Sequence, residues 1–219
     1  MLQSYMFNAV IPIVLFSVFG FANLASQPVA IQPQIMATHT ISLDERYADA
    51  SVNDVFRYNI LLTLAYLRSS LKDTHSIDFN EVEKPFEFDL TLKPGETFAY
   101  HEDVLPEYKN SLKYYTGAHF GGDQGFRSDG YLMGDGVCHL ASLIYLVAQK
   151  AGLEAKSPVN HNFANIPQIP REYGVSIYYM PGQEVANAAQ NMYVKNTFDT
   201  EVTFKYTYDG HDLTVSIVK

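Results

Sequence analysis

Residues 202–218 read VTFKYTYDGHDLTVSIV, and this stretch near the end of the chain decides the fold class. From Val202 to Tyr208, apolar side chains recur at every second position, which places them on one face of a strand. Asp209-Gly210 follows at once, and this pair is typical of a tight hairpin turn because glycine accepts a positive φ. A second alternating run at 213–218 completes a predicted antiparallel hairpin.

Three further strands are predicted upstream of this hairpin. Phe86–Leu92, which reads FEFDLTL, alternates in the same way and ends in a Pro-Gly turn. Val175–Tyr179 and Met192–Phe198 are rich in β-branched and aromatic residues. Because the last strands follow one another without helices between them, we expect them to pair in an antiparallel sheet.

Two helices and a long loop complete the pattern. Apolar residues at helical spacing predict one helix between about Asp44 and Asp73. The second helix is predicted from about Cys138 to Ala151, and Gly152 is a natural stop. Residues 117–136 are dominated by Gly and Asp and predict a long loop. The fold class is therefore α+β, with an N-terminal helical segment, then a Cys-bearing helix packed on a mainly antiparallel sheet.

The N-terminal stretch predicts export. The first charged side chain is Asp44, and Met6–Ala22 reads MFNAVIPIVLFSVFGFA, an apolar run with the length of a signal-peptide core. A buried core helix is the alternative, although such a helix would show a polar face. We predict an exported, extracytoplasmic protein with a signal peptide or membrane anchor at residues 1–26, which contacts the membrane if it is not cleaved.

The remaining chain divides by composition into three segments. A polar, Pro-bearing linker is predicted at 27–43, a helical N-terminal segment at 44–80 and an α+β domain at 81–219. The chain carries 15 Lys and Arg against 24 Asp and Glu, which gives a formal net charge of -9. An acidic surface repels phosphate backbones, so we expect no nucleic acid as a partner.

Cys138 is the single cysteine, which excludes an internal disulfide and a Cys-rich zinc site. It follows Gly134-Asp135-Gly136 and stands in the first turn of the predicted helix. At that position the helix dipole and unpaired N–H groups favour a thiolate and lower the pKa of the thiol. The same N–H groups would stabilise an oxyanion, and the glycines would let a substrate approach the backbone. The alternative is a packed cysteine that behaves as a small buried hydrophobe.

A thiolate nucleophile also needs a base, which is normally histidine. His161 and His211 follow the predicted helix. His139 adjoins Cys138 but points about 100° away from it on a helix, which makes it a poor automatic partner. One cysteine with scattered histidines is a weak indication of a metal site, and the nearby Asp residues do not match an EF-hand loop. We therefore predict no metal and no cofactor.

From Phe86 to the C terminus the sequence resembles the VanW-like family. The resemblance is carried by FDLTLKPGETFAY, GDGVCHLASLIYLVAQKAGLE, the His161 region, YYMPGQEVA and NMYVKNTF, in the order of the family. It implies a bacterial cell-envelope protein, an accessory of antibiotic resistance, that acts on peptidoglycan or its peptide stems. Three positions depart from the family pattern: Asp135 replaces the middle glycine of a triple-glycine turn, His139 replaces a glutamine, and Glu184 replaces an aspartate.

Carried over residue by residue, the resemblance implies a cysteine-dependent acyl transfer like that of L,D-transpeptidases. Cys138 would be the nucleophile, His161 the base and Glu184 the carboxylate that orients the imidazole. The residues expected to bind substrate or the oxyanion are Gly134, Gly136 and His139. An amine acceptor would give a cross-link, and water would give cleavage. Two alternatives stay open: a non-catalytic cell-wall binding or accessory module with a packed cysteine, and a cysteine peptidase or amidase on another envelope substrate.

Overall fold

Two four-stranded sheets and three α-helices are found in residues 34–71, 77–131 and 133–219, which are the residues that the computed structural model describes. The strands are β1 (Ile35–Ser42), β2 (Phe86–Leu92), β3 (Thr97–Ala99), β4 (Leu112–Tyr114), β5 (Glu154–Lys156), β6 (Tyr193–Lys195), β7 (Val202–Tyr208) and β8 (Asp212–Val218). The helices are α1 (Ala50–Leu71), α2 (Val137–Lys150) and α3 (Glu184–Ala189). These elements confirm the α+β class.

The larger sheet has the strand order β1-β8-β7-β2 and is antiparallel throughout. It confirms the predicted hairpin, because β7 and β8 pair along their length up to Tyr208 and Leu213. In the turn, Gly210 has a φ of 112°, and Asp209 Oδ1 accepts the N–H of His211. Every second residue of β7, beginning with Val202, is buried, so the alternating pattern marks the core face correctly.

The smaller sheet has the order β4-β3-β6-β5 and is built from strands of three residues each. Its β3–β4 pair is parallel, and its other two pairs are antiparallel. Only Tyr193–Lys195 of the predicted strand Met192–Phe198 joins it. The predicted strand at Val175–Tyr179 is wrong, since these residues pair with none of the strands in the described ranges.

The helix α2 is the central element of the fold. It packs against β1 and β8 of the larger sheet, β5 of the smaller sheet, and α1. Most of its residues from Val137 to Ala148 are buried, on nearly every side of the helix. A helix covered by neighbours on several sides is apolar nearly all round, which explains the run of Leu, Ile, Ala and Val in its sequence.

The strand β1 corrects the predicted domain layout. It lies inside the stretch predicted to be a linker, 27–43, and it pairs with β8 from Ile35 to Ser42. The predicted segments 44–80 and 81–219 belong, with β1, to one compact unit, Pro33–Lys219. The predicted signal peptide or anchor at 1–26 lies outside the described residues. Among the helices in the described ranges, none is long and apolar enough to cross a membrane.

Candidate active site

The Gly-rich turn before α2 is held against α1 by a buried amide. Asn59 donates from Nδ2 to the carbonyl oxygens of Arg127 and Asp135, both at 2.9 Å, and its Oδ1 accepts the N–H of Arg127 at 2.9 Å. At Gly136, φ is 96°, and a Cβ atom would lie 2.6 Å from the carbonyl oxygen of Phe56. Glycine is required for such a close approach to the backbone of α1. The turn therefore fixes the point at which α2 begins.

Two backbone N–H groups at this turn have no hydrogen-bond acceptor in the described part of the chain. The N–H groups of Val137 and His139 donate to the carbonyl oxygens of Gly134 and Gly136, at 3.2 Å and 3.0 Å. The N–H of Gly134 is also bonded, whereas the N–H groups of Gly136 and Cys138 are not. Of the residues predicted to bind an oxyanion, Gly136 therefore has a free donor, and the N–H of Cys138 is the second one.

Cys138 is the second residue of α2 and is half-buried. Its Sγ accepts the N–H of Ile177 at 3.4 Å and lies 3.9 Å from the carbonyl oxygen of the same residue. Burial raises the pKa of the thiol to about 11; the N–H of Ile177 opposes this rise, and the carboxylate of Asp135 adds to it. The predicted lowering of this pKa is therefore wrong for the resting structure. Burial raises the pKa of the thiol by more than the N-terminal end of the helix lowers it, so the thiol is neutral at pH 7.

The segment that contacts the thiol, 175–178, is fastened to α2 by Ser142. The hydroxyl of Ser142 donates to the carbonyl oxygen of Cys138 at 2.7 Å and accepts the N–H of Val175 at 2.9 Å. The N–H of Ser176 donates to the carbonyl oxygen of Val159, and the N–H of Tyr178 donates to the carbonyl oxygen of Gln190. Bonds to several different partners replace a strand ladder, which explains why this extended segment belongs to neither sheet.

Two buried histidines lie side by side next to this segment. The rings of His139 and His161 are 6.4 Å apart between centroids and nearly perpendicular. Nδ1 of His161 donates to the carbonyl oxygen of Ala164 at 3.2 Å, which leaves Nε2 of the neutral ring as a proton acceptor. Burial lowers the pKa of both rings, and in His139 the charge of Arg46 adds to burial and brings the pKa to about 3. Both imidazoles are therefore neutral at pH 7.

A cavity of about 460 Å³ brings the thiol and both imidazoles together. Cys138, His139 and His161 line it, as do Gly134 and Gly136. The volume lies in the range of small-molecule sites. Within the described ranges, no group of three or more His, Cys, Asp or Glu is arranged to hold a metal ion.

Glu184, by contrast, does not line this cavity. It is the exposed first residue of α3. Its charge acts on Tyr179, whose pKa is raised first by burial, then by Glu102, and further by Glu184. The hydrogen bond that we expected Glu184 to make with His161 is made at Nδ1 by a backbone carbonyl instead.

Three residues that we did not predict also line the cavity, and all three come from the N-terminal part of the described chain. They are Arg46, Tyr47 and Phe56. The ring of Phe56 lies 5.0 Å from that of His139 and 5.6 Å from that of Tyr47, between centroids. No pattern in the sequence connects these residues with Cys138, because they approach it only when α1 packs on α2.

Comparison with known proteins agrees with the motifs. Residues 88–218 match the family model described as VanW like protein. No curated protein and no solved structure matches the chain. The matched stretch contains the Gly-rich turn, the thiol and both histidines of the cavity, whereas β1 and α1 precede it. The match supports a protein associated with the cell wall and with glycopeptide resistance, and it assigns no catalytic chemistry.

Proposed function

Because the chain belongs to the VanW-like family, we propose that it is an exported cell-envelope protein in which Cys138 catalyses acyl transfer on peptidoglycan stem peptides. One observation carries this proposal. Cys138, both neutral imidazoles and Gly136 line one cavity, and the N–H groups of Gly136 and Cys138 have no hydrogen-bond acceptor among the described residues. Nucleophilic acyl transfer requires these parts: a nucleophile, a base and donors for the oxyanion.

The first half of the reaction forms a thioester. Sγ of Cys138 attacks the carbonyl carbon of a peptide bond while Nε2 of His161 takes the thiol proton. The tetrahedral oxyanion accepts hydrogen bonds from the N–H groups of Gly136 and Cys138. The C–N bond then breaks, and the leaving amine takes the proton from the imidazolium.

The second half releases the acyl group. An amine of a second stem peptide, or water, attacks the thioester carbonyl, and His161 accepts the proton of the attacking group. The C–S bond breaks, and the proton returns to Sγ of Cys138. An amine acceptor gives a cross-link between two peptides, whereas water gives a shortened peptide.

The neutral resting state of the site supports a general-base route. A thiol with a pKa of about 11 is not a preformed thiolate at pH 7, so its proton must leave during the attack. An imidazole whose pKa is lowered by burial is free to accept this proton at neutral pH. The hydrogen bond from Nδ1 of His161 to Ala164 holds the accepting nitrogen, Nε2, in its unprotonated form.

A non-catalytic cell-wall binding or accessory module is the second candidate. The raised pKa of Cys138 and the contacts of Sγ with Ile177 favour it, because a packed cysteine has these properties too. In that case the same cavity would bind an envelope peptide without reacting with it. A peptidase or amidase would share the thioester and differ only in its acceptor.

The test is to detect the thioester directly. Purified protein is incubated with a synthetic stem peptide, and its intact mass is measured after rapid acid quenching. We expect the added mass of the acyl group on the unaltered protein and none on Cys138→Ala, since the chain has no other thiol. His161→Asn should slow the appearance of the adduct by about 10²–10⁴-fold. His211→Asn, at an exposed histidine, is the matched control and should react normally.

Failure has a clear signature. An unchanged peptide and an absent adduct at every pH would leave the accessory module as the better reading. The same conclusion would follow in cells from identical cross-link and stem-peptide patterns with wild type and Cys138→Ala.

A further inference from the structure

Arg46 brings a positive charge to the wall of the cavity that holds Cys138. It follows the short 3₁₀ turn Leu43–Glu45, and 1% of its surface is exposed. Asn53 of α1 anchors its backbone, because Oδ1 of Asn53 accepts the N–H of Arg46 at 2.6 Å. The residue precedes the stretch matched by the family model, so its presence in the cavity is not part of that match.

Within the described residues, the hydrogen-bond partners of the Arg46 guanidinium are all neutral. One Nη donates to the carbonyl oxygen of Pro167 at 3.1 Å, and the other donates to Oε1 of Gln168. The Nε–H group is buried and has no hydrogen-bond partner. Among the described residues, no carboxylate forms an ion pair with Arg46. The acidic residue that acts on it, Glu45, has an exposed side chain.

A buried guanidinium with neutral partners is an unusual arrangement. Buried charges in proteins are usually paired, because an uncompensated charge away from water is costly. Burial lowers the pKa of Arg46 to about 10, so the side chain stays charged at pH 7. The same charge lowers the pKa of His139, the residue that follows Cys138. The charge therefore acts on a residue that lines the same cavity as the thiol.

We infer that Arg46 binds the terminal carboxylate of the peptide substrate and thereby positions the reacting carbonyl at Cys138. This inference rests on the proposed function, because it names what the cavity recognises. A guanidinium carries its donors in a planar fork that matches the two oxygens of a carboxylate, and the Nε–H of Arg46 has no partner among the described residues. Substrate binding would then supply a counter-ion that the described residues do not provide.

The charges that line the cavity favour a monoanion over a phosphate. Asp129 and Asp135 also line the cavity. Their carboxylates would repel a dianion more strongly than a single carboxylate. Tyr47 and Phe56 also line the cavity, and their aromatic side chains suit the apolar part of a peptide.

The experiment measures binding without turnover, on the Cys138→Ala protein. Calorimetry compares a synthetic stem tetrapeptide that has a free C-terminal carboxylate with the same tetrapeptide as its C-terminal amide. We expect the acid to bind about tenfold more tightly or better, as a charge-assisted pair allows. Adding Arg46→Gln should weaken binding of the peptide acid and leave binding of the amide unchanged. Arg46→Lys should keep part of the preference for the acid over the amide. Arg171→Gln is the matched control, at an exposed arginine that does not line the cavity.

Three results would overturn the inference. They are equal binding of acid and amide by the protein that retains Arg46, absent binding of both peptides, and an undiminished acid preference in Arg46→Gln. If Arg46→Gln does not fold, the acid–amide comparison and Arg46→Lys decide the question. Displacement of the peptide by equimolar inorganic phosphate would indicate a phosphate site and also contradict it.

The inference and the proposed function fail separately. Thioester formation on the unaltered protein without an acid preference would leave the acyl transfer standing and remove the role of Arg46. An acid preference that disappears with Arg46→Gln, in a protein that forms no thioester, would leave a carboxylate-binding accessory module.

Discussion

The state of Cys138 is decided by two opposed effects on one sulfur atom. A place in the first turn of α2 favours the thiolate, because unpaired N–H groups and the helix dipole stabilise negative charge there. Burial among apolar neighbours, together with the carboxylate of Asp135, favours the neutral thiol and prevails. The thiol therefore needs either a base or a high pH to react.

This balance predicts an unusual alkylation profile. The rate of iodoacetamide labelling of native protein should rise with pH up to about 11, the pKa of the thiol. An unfolded thiol has a pKa of about 8.5, so at pH 7 the native protein should react about two orders of magnitude more slowly than protein in urea. Mass spectrometry of the alkylated chain measures both rates.

Asp135→Asn is the informative companion variant. Its carboxylate contributes to the raised pKa of Cys138, so its removal should move the native profile to lower pH. Cys138→Ala should take up no label. A native profile with its midpoint at or below 8.5 would contradict the neutral thiol and restore the activated thiolate expected from the sequence.

The residues of the site differ in how far the sequence identifies them. Cys138 and His161 are found by motif, and the structure brings both into one cavity. His139 was expected to point away from the thiol, yet its ring lines the same cavity, because the cavity spans more than one side of the helix start. Arg46 carries no local signal at all. Its role depends on tertiary packing, which residue spacing does not encode.

At the scale of elements, the turn that precedes α2 positions the whole site. Its composition predicts a loop but not its path, which is set by Asn59 and by the backbone of Phe56. Glycine is required at position 136 for two reasons: the backbone has a positive φ, and it approaches the backbone of α1 closely. The family resemblance explains a glycine here only as part of a motif, whereas the packing gives the physical reason.

Gly136→Ala should therefore be strongly destabilising. The new Cβ would combine left-handed backbone strain with a contact of 2.6 Å to the Phe56 carbonyl oxygen. We expect a loss of about 2–4 kcal/mol in the free energy of unfolding. Urea unfolding followed by circular dichroism measures it.

The matched control is Gly95→Ala. Gly95 also has a positive φ, of 80°, but a Cβ there would meet nothing within 4 Å. We expect a loss of about 1–2 kcal/mol from backbone strain alone. Equal losses in the two variants would show that the approach to α1 is not what selects glycine at position 136.

The predicted strands are confirmed where they form a regular ladder with neighbouring strands. The bounds of β2 and β7 match the alternating runs, and β8 begins one residue early, because these strands have one buried face and a regular ladder. The segment Val175–Tyr179 has the composition of a strand and an extended backbone. Its N–H groups bond to Ser142 Oγ, Cys138 Sγ and isolated carbonyls, and composition alone does not reveal these partners.

At the scale of the whole molecule, the N-terminal elements are part of the fold and not an appendage. β1 forms one edge strand of the larger sheet, within a stretch whose polar, Pro-bearing composition led us to predict a linker. Polar side chains of β1 form hydrogen bonds with polar side chains of the neighbouring strand β8: Thr38 with Ser216, and Thr40 with Thr214. Strands with one solvated face are polar at alternate positions, and this weakens their signal in the sequence.

A chain beginning at residue 81 should therefore fail to fold, although it contains all of the matched family region. Without α1 the core loses Leu61, Leu62 and Leu64, which are fully buried. Each contributes about 1.5–3 kcal/mol, and their sum alone approaches the stability of a typical domain. Circular dichroism should show cooperative urea unfolding for 34–219 and none for 81–219. A cooperative transition in the shorter chain would restore the predicted domain boundary.

The buried histidines make the stability of the whole molecule dependent on pH. His101, His139 and His161 are buried, and burial lowers the pKa of each below the value of about 6.5 that applies in the unfolded chain. Below pH 6.5 the unfolded state therefore binds more protons than the folded state. The stabilisation is fully present above this pH and is lost as the pH falls toward the folded pKa values.

His139→Gln isolates one of these contributions, since the folded pKa of His139 is about 3. As the pH falls from 6 to 4.5, His139 alone should lower the free energy of unfolding by about 1.4 kcal/mol per pH unit. In His139→Gln, the plot of unfolding free energy against pH should be less steep by this amount. Urea unfolding at several pH values measures both slopes. Cys138→Ala keeps all three histidines and should retain the full slope. Parallel curves for wild type and His139→Gln would mean that the pKa of His139 is the same in the folded and the unfolded chain, and the lowering of this pKa by burial and by Arg46 would have to be abandoned.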